Sequence, residues 1–160
     1  MKDTPRSLTT ERLELIAATL ELADADLFNR LEFSHRLNAR VLDGWPPPPH
    51  DEASQRRAVD FHRRNPEAAG WADWYLVAAR HKRVVVGLGG FGGPPAAGVV
   101  QIGCSLLPAF RGKGYAEEAV AALVDWAFGH EGVARVVAET GPELARFELS
   151  RAAGQGRRAA

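Results

Sequence analysis

The sequence contains very little cysteine and carries no excess charge. Cys104 is the single cysteine among 160 residues, which excludes an intramolecular disulfide, and no cysteine and histidine residues have the spacing of a zinc site. Lysine and arginine number 20, as do aspartate and glutamate, so the formal net charge is zero. A chain without net charge gives no indication of a nucleic-acid or membrane-surface partner. We therefore expect no metal, no nucleic acid and no membrane.

The sequence also lacks a long apolar run. No stretch approaches the roughly 18 apolar residues of a membrane span, and residues 1–15 lack the apolar core of a signal peptide. We expect a cytoplasmic protein. The length fits one domain with one core, and 46% hydrophobic with 25% charged residues is typical of a globular protein.

Two common nucleotide-binding motifs are missing as well. Gly87, Gly89 and Gly92 formally match the dinucleotide-binding fingerprint, but that motif requires a helix directly after it. Here Gly93, Pro94 and Pro95 follow, and then another strand, so the match indicates a hairpin loop. The glycine pattern of a phosphate-binding P-loop is not present around Lys113.

Hydrophobic periodicity predicts an α+β chain with a mostly antiparallel sheet. Leu13, Leu15 and Ala17 alternate with less apolar neighbours, as in a strand with one apolar face. Residues 21–42 carry a helical pattern that we interpret as two helices, and Asp51 begins another helix. The remaining predicted elements are strands 74–79, 84–91 and 98–107, a helix that residues 111–116 open and Gly129 ends, and a strand at 134–140.

A proline-rich segment follows the predicted helices at 21–42. Four consecutive prolines, residues 46–49, come directly after Trp45 and favour a stiff extended loop. The segment could instead be a ligand for a partner domain. For Trp45 we leave two interpretations open, packing in the core and lining of a substrate cleft.

The most informative stretch is the turn between the strand ending near Leu107 and the next helix. Its residues are Arg111, Gly112, Lys113, Gly114, Tyr115 and Ala116. A helix start leaves N–H groups without partners and is electropositive. Glycines remove the Cβ atoms that would keep a ligand away, and the two cations add charge. The turn therefore predicts a phosphate or pyrophosphate site; the alternative is a tight surface connection.

This turn resembles that of the GNAT superfamily of acetyl-CoA-dependent N-acetyltransferases. Arg111, Gly114 and Ala116 match the signature (Gln/Arg)-x-x-Gly-x-(Gly/Ala), and residues 102–128 are similar to the ribosomal-protein N-terminal acetyltransferase branch. The resemblance extends from residues 9–15 to 134–140. It implies the GNAT acyl-CoA N-acyltransferase fold, with a mixed, mostly antiparallel sheet flanked by helices. It also implies direct acetyl transfer from acetyl-CoA to a primary amine, on a protein N-terminus or a small metabolite.

The resemblance further implies which residues hold acetyl-CoA, the co-substrate. Backbone N–H groups from Arg111 to Ala116, with Gly112, Lys113, Gly114 and Tyr115 between them, are expected to bind the pyrophosphate. The backbone of Ser105, Leu106 and Leu107 is expected to pair with the pantetheine arm. The partner is then a small-molecule or peptide amine, and a homodimer is left open.

The catalytic base is unassigned. The amine must be neutral before it attacks, so a base or a water relay must take its proton. Resembling sequences often carry Glu where this chain has Gln101, and an amide cannot accept that proton. Glu139 is a weak candidate, against the alternative of a plain polar residue at a strand end. Cys104 is expected to be a buried small apolar residue.

The family pattern stops after Ala145. We expect residues 1–145 to form a GNAT domain that is incomplete at its C-terminus, with the final strands missing. Residues 146–160 are rich in Arg, Ala and Gly and are expected to be disordered or helical. Truncation or a frameshift near Arg146 would explain the departure. The alternative function is therefore a non-catalytic CoA-binding module or an impaired enzyme.

Overall fold

The strands lie side by side in chain order in the computed structural model, which describes residues 6–80, 82–138, 147–152 and 155–156. All neighbouring strands are antiparallel except β5 and β6, which are parallel. The strands are β1 (Ser7–Thr9), β2 (Leu13–Ala17), β3 (Asp73–Ala78), β4 (Val84–Phe91), β5 (Val99–Leu106), β6 (Arg135–Ala138), β7 (Phe147–Ala152) and β8 (Gln155–Gly156). The predicted α+β order is confirmed.

The helices also lie where the periodicity predicted them. They are α1 (Leu20–Phe28), α2 (Arg30–Leu37), α3 (Glu52–Arg64) and α4 (Tyr115–Phe128). Asn29 separates α1 from α2, and Asp51 caps α3 by accepting a hydrogen bond from the Ser54 N–H at 3.0 Å. Among the described residues, no helix has the length and apolar character needed to cross a membrane.

Two apolar clusters cover the two faces of the sheet. Leu13, Leu15 and Trp74 face α4 on one side, whereas Ile16 and Tyr75 face α1 and α2 on the other. Strand β3 is therefore buried on both faces, which explains why residues 74–78 form a continuous apolar run. The central strands are held between two helical layers. The ends of β4 and β5 extend from this buried part of the sheet.

The expectation that the final strands are missing is wrong. Strand β7 pairs antiparallel with β6, with Leu149 opposite Val136, so β6 is not an uncovered edge. Leu149 is buried in the core and Phe147 is partly buried against it, whereas Glu148 and Ser150 are exposed. This alternation with a period of two is the strand signal that the Arg- and Gly-rich composition of the segment concealed.

Arg151 shows why this strand tolerates a charged residue on its inner face. Its guanidinium donates to the carbonyl oxygens of Phe128, His130 and Val133 at 2.7, 2.8 and 3.0 Å. These carbonyls lie at and beyond the C-terminal end of α4, where a cation is favoured. The prediction of a helical or disordered tail over 146–160 is thus wrong for residues 147–152, and Glu139 lies outside the described residues.

Trp45 packs in the core. Its ring lies 6.0 Å from Phe33 and 6.5 Å from Tyr75, and its Nε1 donates to Asp26 Oδ1 at 2.8 Å. Gln55 on α3 donates to the same oxygen at 3.0 Å. The Asp26 carboxylate thus joins α1, the proline-rich loop and α3. Burial raises the pKa of Asp26, although the bonds from Trp45 and Gln55 oppose that effect.

Asp26→Asn should make the protein more stable at pH 7. When folding raises the pKa of a carboxyl group, the protein loses stability as that group ionises. The loss begins as the pH rises through the pKa of the group in the unfolded chain, about 4. Asparagine keeps the accepting oxygen but has no charge to desolvate. We expect urea unfolding to show equal stability of variant and wild type near pH 4 and a widening gap above it. This account would be contradicted if the variant were less stable than wild type at pH 7. It would also be contradicted if the exposed control Asp43→Asn showed the same stability difference from wild type.

Candidate active site

The turn between β5 and α4 has the geometry that its glycines predict. A 3-10 turn at Pro108–Phe110 follows the strand, and the chain then reaches α4 through Gly112 and Gly114, whose φ angles are +76° and +85°. Side chains are strained at these angles, so glycine is required at both positions. We refer to residues 111–116 as the anion loop.

The start of α4 presents backbone donors. Its first hydrogen bond to the anion loop runs from the Glu118 N–H to the Gly114 carbonyl at 3.1 Å, and no described side chain caps the helix. The N–H groups of residues 115–117 therefore have no partner within the helix. Lys113 is exposed beside them, whereas the side chains of Tyr115 and Ala116 are buried and anchor the turn.

A carboxylate on α4 clamps the anion loop to the sheet, and the sequence analysis did not find it. Glu118 accepts hydrogen bonds from Thr10 Oγ1 at 2.5 Å, Arg12 N–H at 2.8 Å and Arg12 Nε at 2.7 Å. Arg12 also donates to the Lys113 carbonyl at 2.8 Å and lies over the Tyr115 ring at 4.5 Å. Glu118 and Arg12 are 106 positions apart, so no local pattern signals the pair.

Burial acts to raise the pKa of Glu118, but the hydrogen bonds from Thr10 and Arg12, together with the Arg12 charge, lower it overall. A carboxyl with a lowered pKa stabilises the fold above its unfolded pKa, near 4, and loses that contribution as the pH falls. The clamp is therefore intact at neutral pH and weakens in acid.

Glu118→Gln should cost about 1–3 kcal/mol of unfolding free energy at pH 7, because charged hydrogen bonds are lost. The difference from wild type should shrink as the pH falls below about 4. Glu117→Gln, in the same helical turn but exposed, is the matched control and should stay near the wild-type value. Equal losses in both variants, measured by urea unfolding, would show that the helix end alone and not the clamp is responsible.

Strand β5 lies between β4 and β6 and leads to the anion loop. The β5–β6 register described by the structure ends at Ile102 opposite Ala138. On its other side β5 bonds to β4 through alternate residues: the Gln101 carbonyl accepts from Gly92 at 3.1 Å, and the Leu107 N–H donates to Val86 at 2.9 Å. The backbone groups of Cys104 and Leu106 therefore face away from β4, toward the side on which β6 lies.

This alternation changes the set of candidate pantetheine residues. Leu106 presents its backbone on the β6 side, where its carbonyl also accepts from Arg111 Nε at 3.3 Å. Ser105 and Leu107 turn their backbone groups toward β4 instead. Cys104, which the sequence analysis did not assign to this role, shares the orientation of Leu106. A strand alternates its hydrogen-bonding side, so three consecutive residues cannot all serve one edge.

A cleft of about 260 Å³ lies over this part of the sheet. We call it the central cleft; its lining includes His50, Asp73, Gln101, Gly103, Cys104 and Ser105. Cys104 lines the cleft and is partly buried against the apolar core, so the expectation of a buried apolar residue is met in part. Across the described residues, no group of three or more His, Cys, Asp or Glu could hold a metal ion.

The family follows from a match that spans most of the chain. A family model described as Acetyltransferase (GNAT) domain matches residues 12–146. The chain belongs to the GNAT acetyltransferases. It is 29% identical over 135 residues to YjdG of Bacillus subtilis (strain 168), an uncharacterized N-acetyltransferase, covering 82% of this chain and 77% of that one.

Solved structures show the same GNAT fold. The GNAT-family acetyltransferase from Bacillus anthracis has a TM-score of 0.53 and 19% identity, over 86% of this chain and 75% of that one. RimL, the ribosomal L7/L12 alpha-N-protein acetyltransferase, was solved in complex with coenzyme A. It has a TM-score of 0.53 and 22% identity, and the match covers 83% of this chain and 73% of RimL. The GNAT fold predicted from the anion loop is thus confirmed.

Proposed function

We propose that this GNAT acetyltransferase moves the acetyl group of acetyl-CoA to a primary amine, on a protein N-terminus or a small metabolite. The observation that carries the proposal is the anion loop, which places unpaired helix donors and an exposed lysine at the end of strand β5. RimL, which has the same fold and was solved with coenzyme A, supports it.

The anion loop suits the pyrophosphate of CoA. The first N–H groups of α4 have no partner within the helix, a Cβ on Gly112 would meet no atom within 4 Å, and the Tyr115 side chain is buried, so an anion can approach these donors. Lys113 adds a positive charge that no ion pair between described residues neutralises. The Arg12–Glu118 clamp holds these groups in place before the ligand arrives, which lowers the entropic cost of binding.

Strand β5 can guide the pantetheine arm from the anion loop into the central cleft. The backbone of Leu106 and then of Cys104 faces away from β4, and the described β5–β6 pairing ends before them, at Ile102. An extended arm can pair with these groups as an added strand would. From Leu106 to Gly103 the strand advances about 10 Å, so the thioester would reach the cleft that Gly103 lines.

In the cleft, transfer requires a neutral amine nitrogen. The nitrogen attacks the acetyl carbonyl carbon, a C–N bond forms and the C–S bond breaks. An ammonium substrate loses two protons in total: one goes to a base and then to solvent, and the other can protonate the leaving thiolate. The products are the acetylated amine and the free thiol of CoA.

One observation favours a second candidate, a CoA-binding module without turnover. Gln101 lines the central cleft and is exposed, and its amide cannot accept a proton at neutral pH. If no other group replaces a carboxylate at that place, the protein would bind acetyl-CoA and leave amines unchanged. Binding and turnover must therefore be measured separately.

Lys113→Glu should weaken acetyl-CoA binding at least tenfold in calorimetry. Loss of a charged hydrogen bond costs about 1.5–3 kcal/mol, and 1.4 kcal/mol is tenfold in the dissociation constant. Lys82→Glu, an equal charge change at the exposed β3–β4 turn, is the matched control and should bind as wild type does. If both variants bind acetyl-CoA equally well, the anion loop is not part of the binding site. If the folded wild type binds no acetyl-CoA, the proposed function is refuted.

A further inference from the structure

We propose that Asp73 receives the ammonium group of the acceptor in the central cleft and takes its proton, which makes Asp73 the base that the cleft would otherwise lack. The inference rests on the proposed function, because it needs acetyl-CoA on strand β5. It does not depend on which primary amine is the acceptor.

The sheet register places Asp73 in line with the strand that would carry the thioester. Asp73 on β3 lies opposite Gly90 on β4, and Gly90 lies opposite Gly103 on β5. Directly opposed residues point to the same face of a sheet, and Asp73 shares that face with Tyr75, which packs against α1 and α2. Two strand spacings, about 10 Å, separate Asp73 from Gly103.

Of the two glycines in this row, Gly103 is the one that leaves open space above the sheet. A Cβ on Gly103 would meet no atom within 4 Å, so the floor of the cleft is open at that point. A Cβ on Gly90 would lie 2.1 Å from the Ala72 carbonyl oxygen, so the backbone approach there requires glycine. An amine nitrogen bonded to the Asp73 carboxylate can therefore lie toward Gly103, facing an acetyl group on β5.

The groups around Asp73 suit it to accept a proton. None of the hydrogen bonds among the described residues uses its side chain, and it lines the cleft together with His50. Loss of solvent raises the pKa of Asp73, and His50 partly opposes this. Asp26 on α1 and Tyr75 on β3 lie close enough to interact with it electrostatically, and Arg57 on α3 lines the adjoining space beside His50.

These groups define a proton path. The Asp73 carboxylate accepts one proton from the ammonium, and the neutral nitrogen then attacks the carbonyl carbon. Asp73 passes its proton to water at the open side of the cleft, where exposed Gln101 and half-exposed His50 lie. The second nitrogen proton leaves with the thiolate. Asp73 thus performs the task that the Gln101 amide cannot.

The test combines turnover with acetyl-CoA binding. The probes are spermidine and the tripeptide Ala-Ala-Ala, and the acetylated product is measured by mass spectrometry from pH 5 to 9. We expect Asp73→Asn to lower kcat at least a hundredfold, the usual range for loss of a general base, with the acetyl-CoA dissociation constant within twofold of wild type. Asp73→Glu should recover part of the rate, and exposed Asp125→Asn should match wild type.

The pH profile separates a base from a merely structural residue. The logarithm of kcat/KM should rise with pH through the ionisation of Asp73 in wild type, and Asp73→Asn should lack that step. Full activity of Asp73→Asn, or an unchanged profile, would overturn the proposal. If the variant does not fold, the proposal is tested on the wild type by following the ¹³Cγ resonance of Asp73 in the complex with CoA. Adding spermidine should change the pH dependence of that resonance.

The same measurements separate this proposal from the one on which it rests. If wild type binds no acetyl-CoA, the proposed function fails and the role of Asp73 fails with it. If wild type binds acetyl-CoA but neither probe is acetylated nor alters the Asp73 resonance, the assignment of Asp73 is overturned, and the second candidate, a CoA-binding module without turnover, is favoured over acetyl transfer.

Discussion

The paired contact of Arg12 with Glu118 is the interaction on which the candidate site depends. It joins the connection between β1 and β2 to the first turn of α4, and Arg12 reaches on to the Lys113 carbonyl of the anion loop. Two glycines with positive φ would otherwise leave that loop free to change conformation. Because the clamp is made from the rigid sheet, the helix donors are held in one arrangement, which is what a charged ligand needs.

The sheet then sets the distance between the parts of the site. Strand β5 runs from the parallel pairing with β6 to the anion loop and also lines the central cleft, so one strand connects the two parts of the candidate site. Gly103 leaves the floor of the cleft open on this strand, and Gly90 permits the close approach of the Ala72 backbone beside Asp73. This register is the basis of the role proposed for Asp73 in a reaction on β5.

Local chemistry in the sequence was enough to predict the anion loop, the helices and the family, because glycine spacing, proline stops and apolar periodicity are encoded within a few residues. The Arg12–Glu118 clamp and the row from Asp73 to Gly103 were not predictable, since both depend on strand register between distant segments. Strand β7 was missed for a different reason: its alternation at Phe147 and Leu149 is short, and Arg151 is satisfied only by carbonyls from other elements.

The most direct test of this account is amide hydrogen exchange with and without acetyl-CoA, resolved by residue in NMR spectra. We predict that acetyl-CoA slows exchange at the N–H groups from Gly112 to Ala116 and at Leu106 and Cys104, while Ser105 and Leu107 change little because their backbone groups face β4. Protection confined to other parts of the chain, or equal protection at all residues from Cys104 to Leu107, would contradict the account.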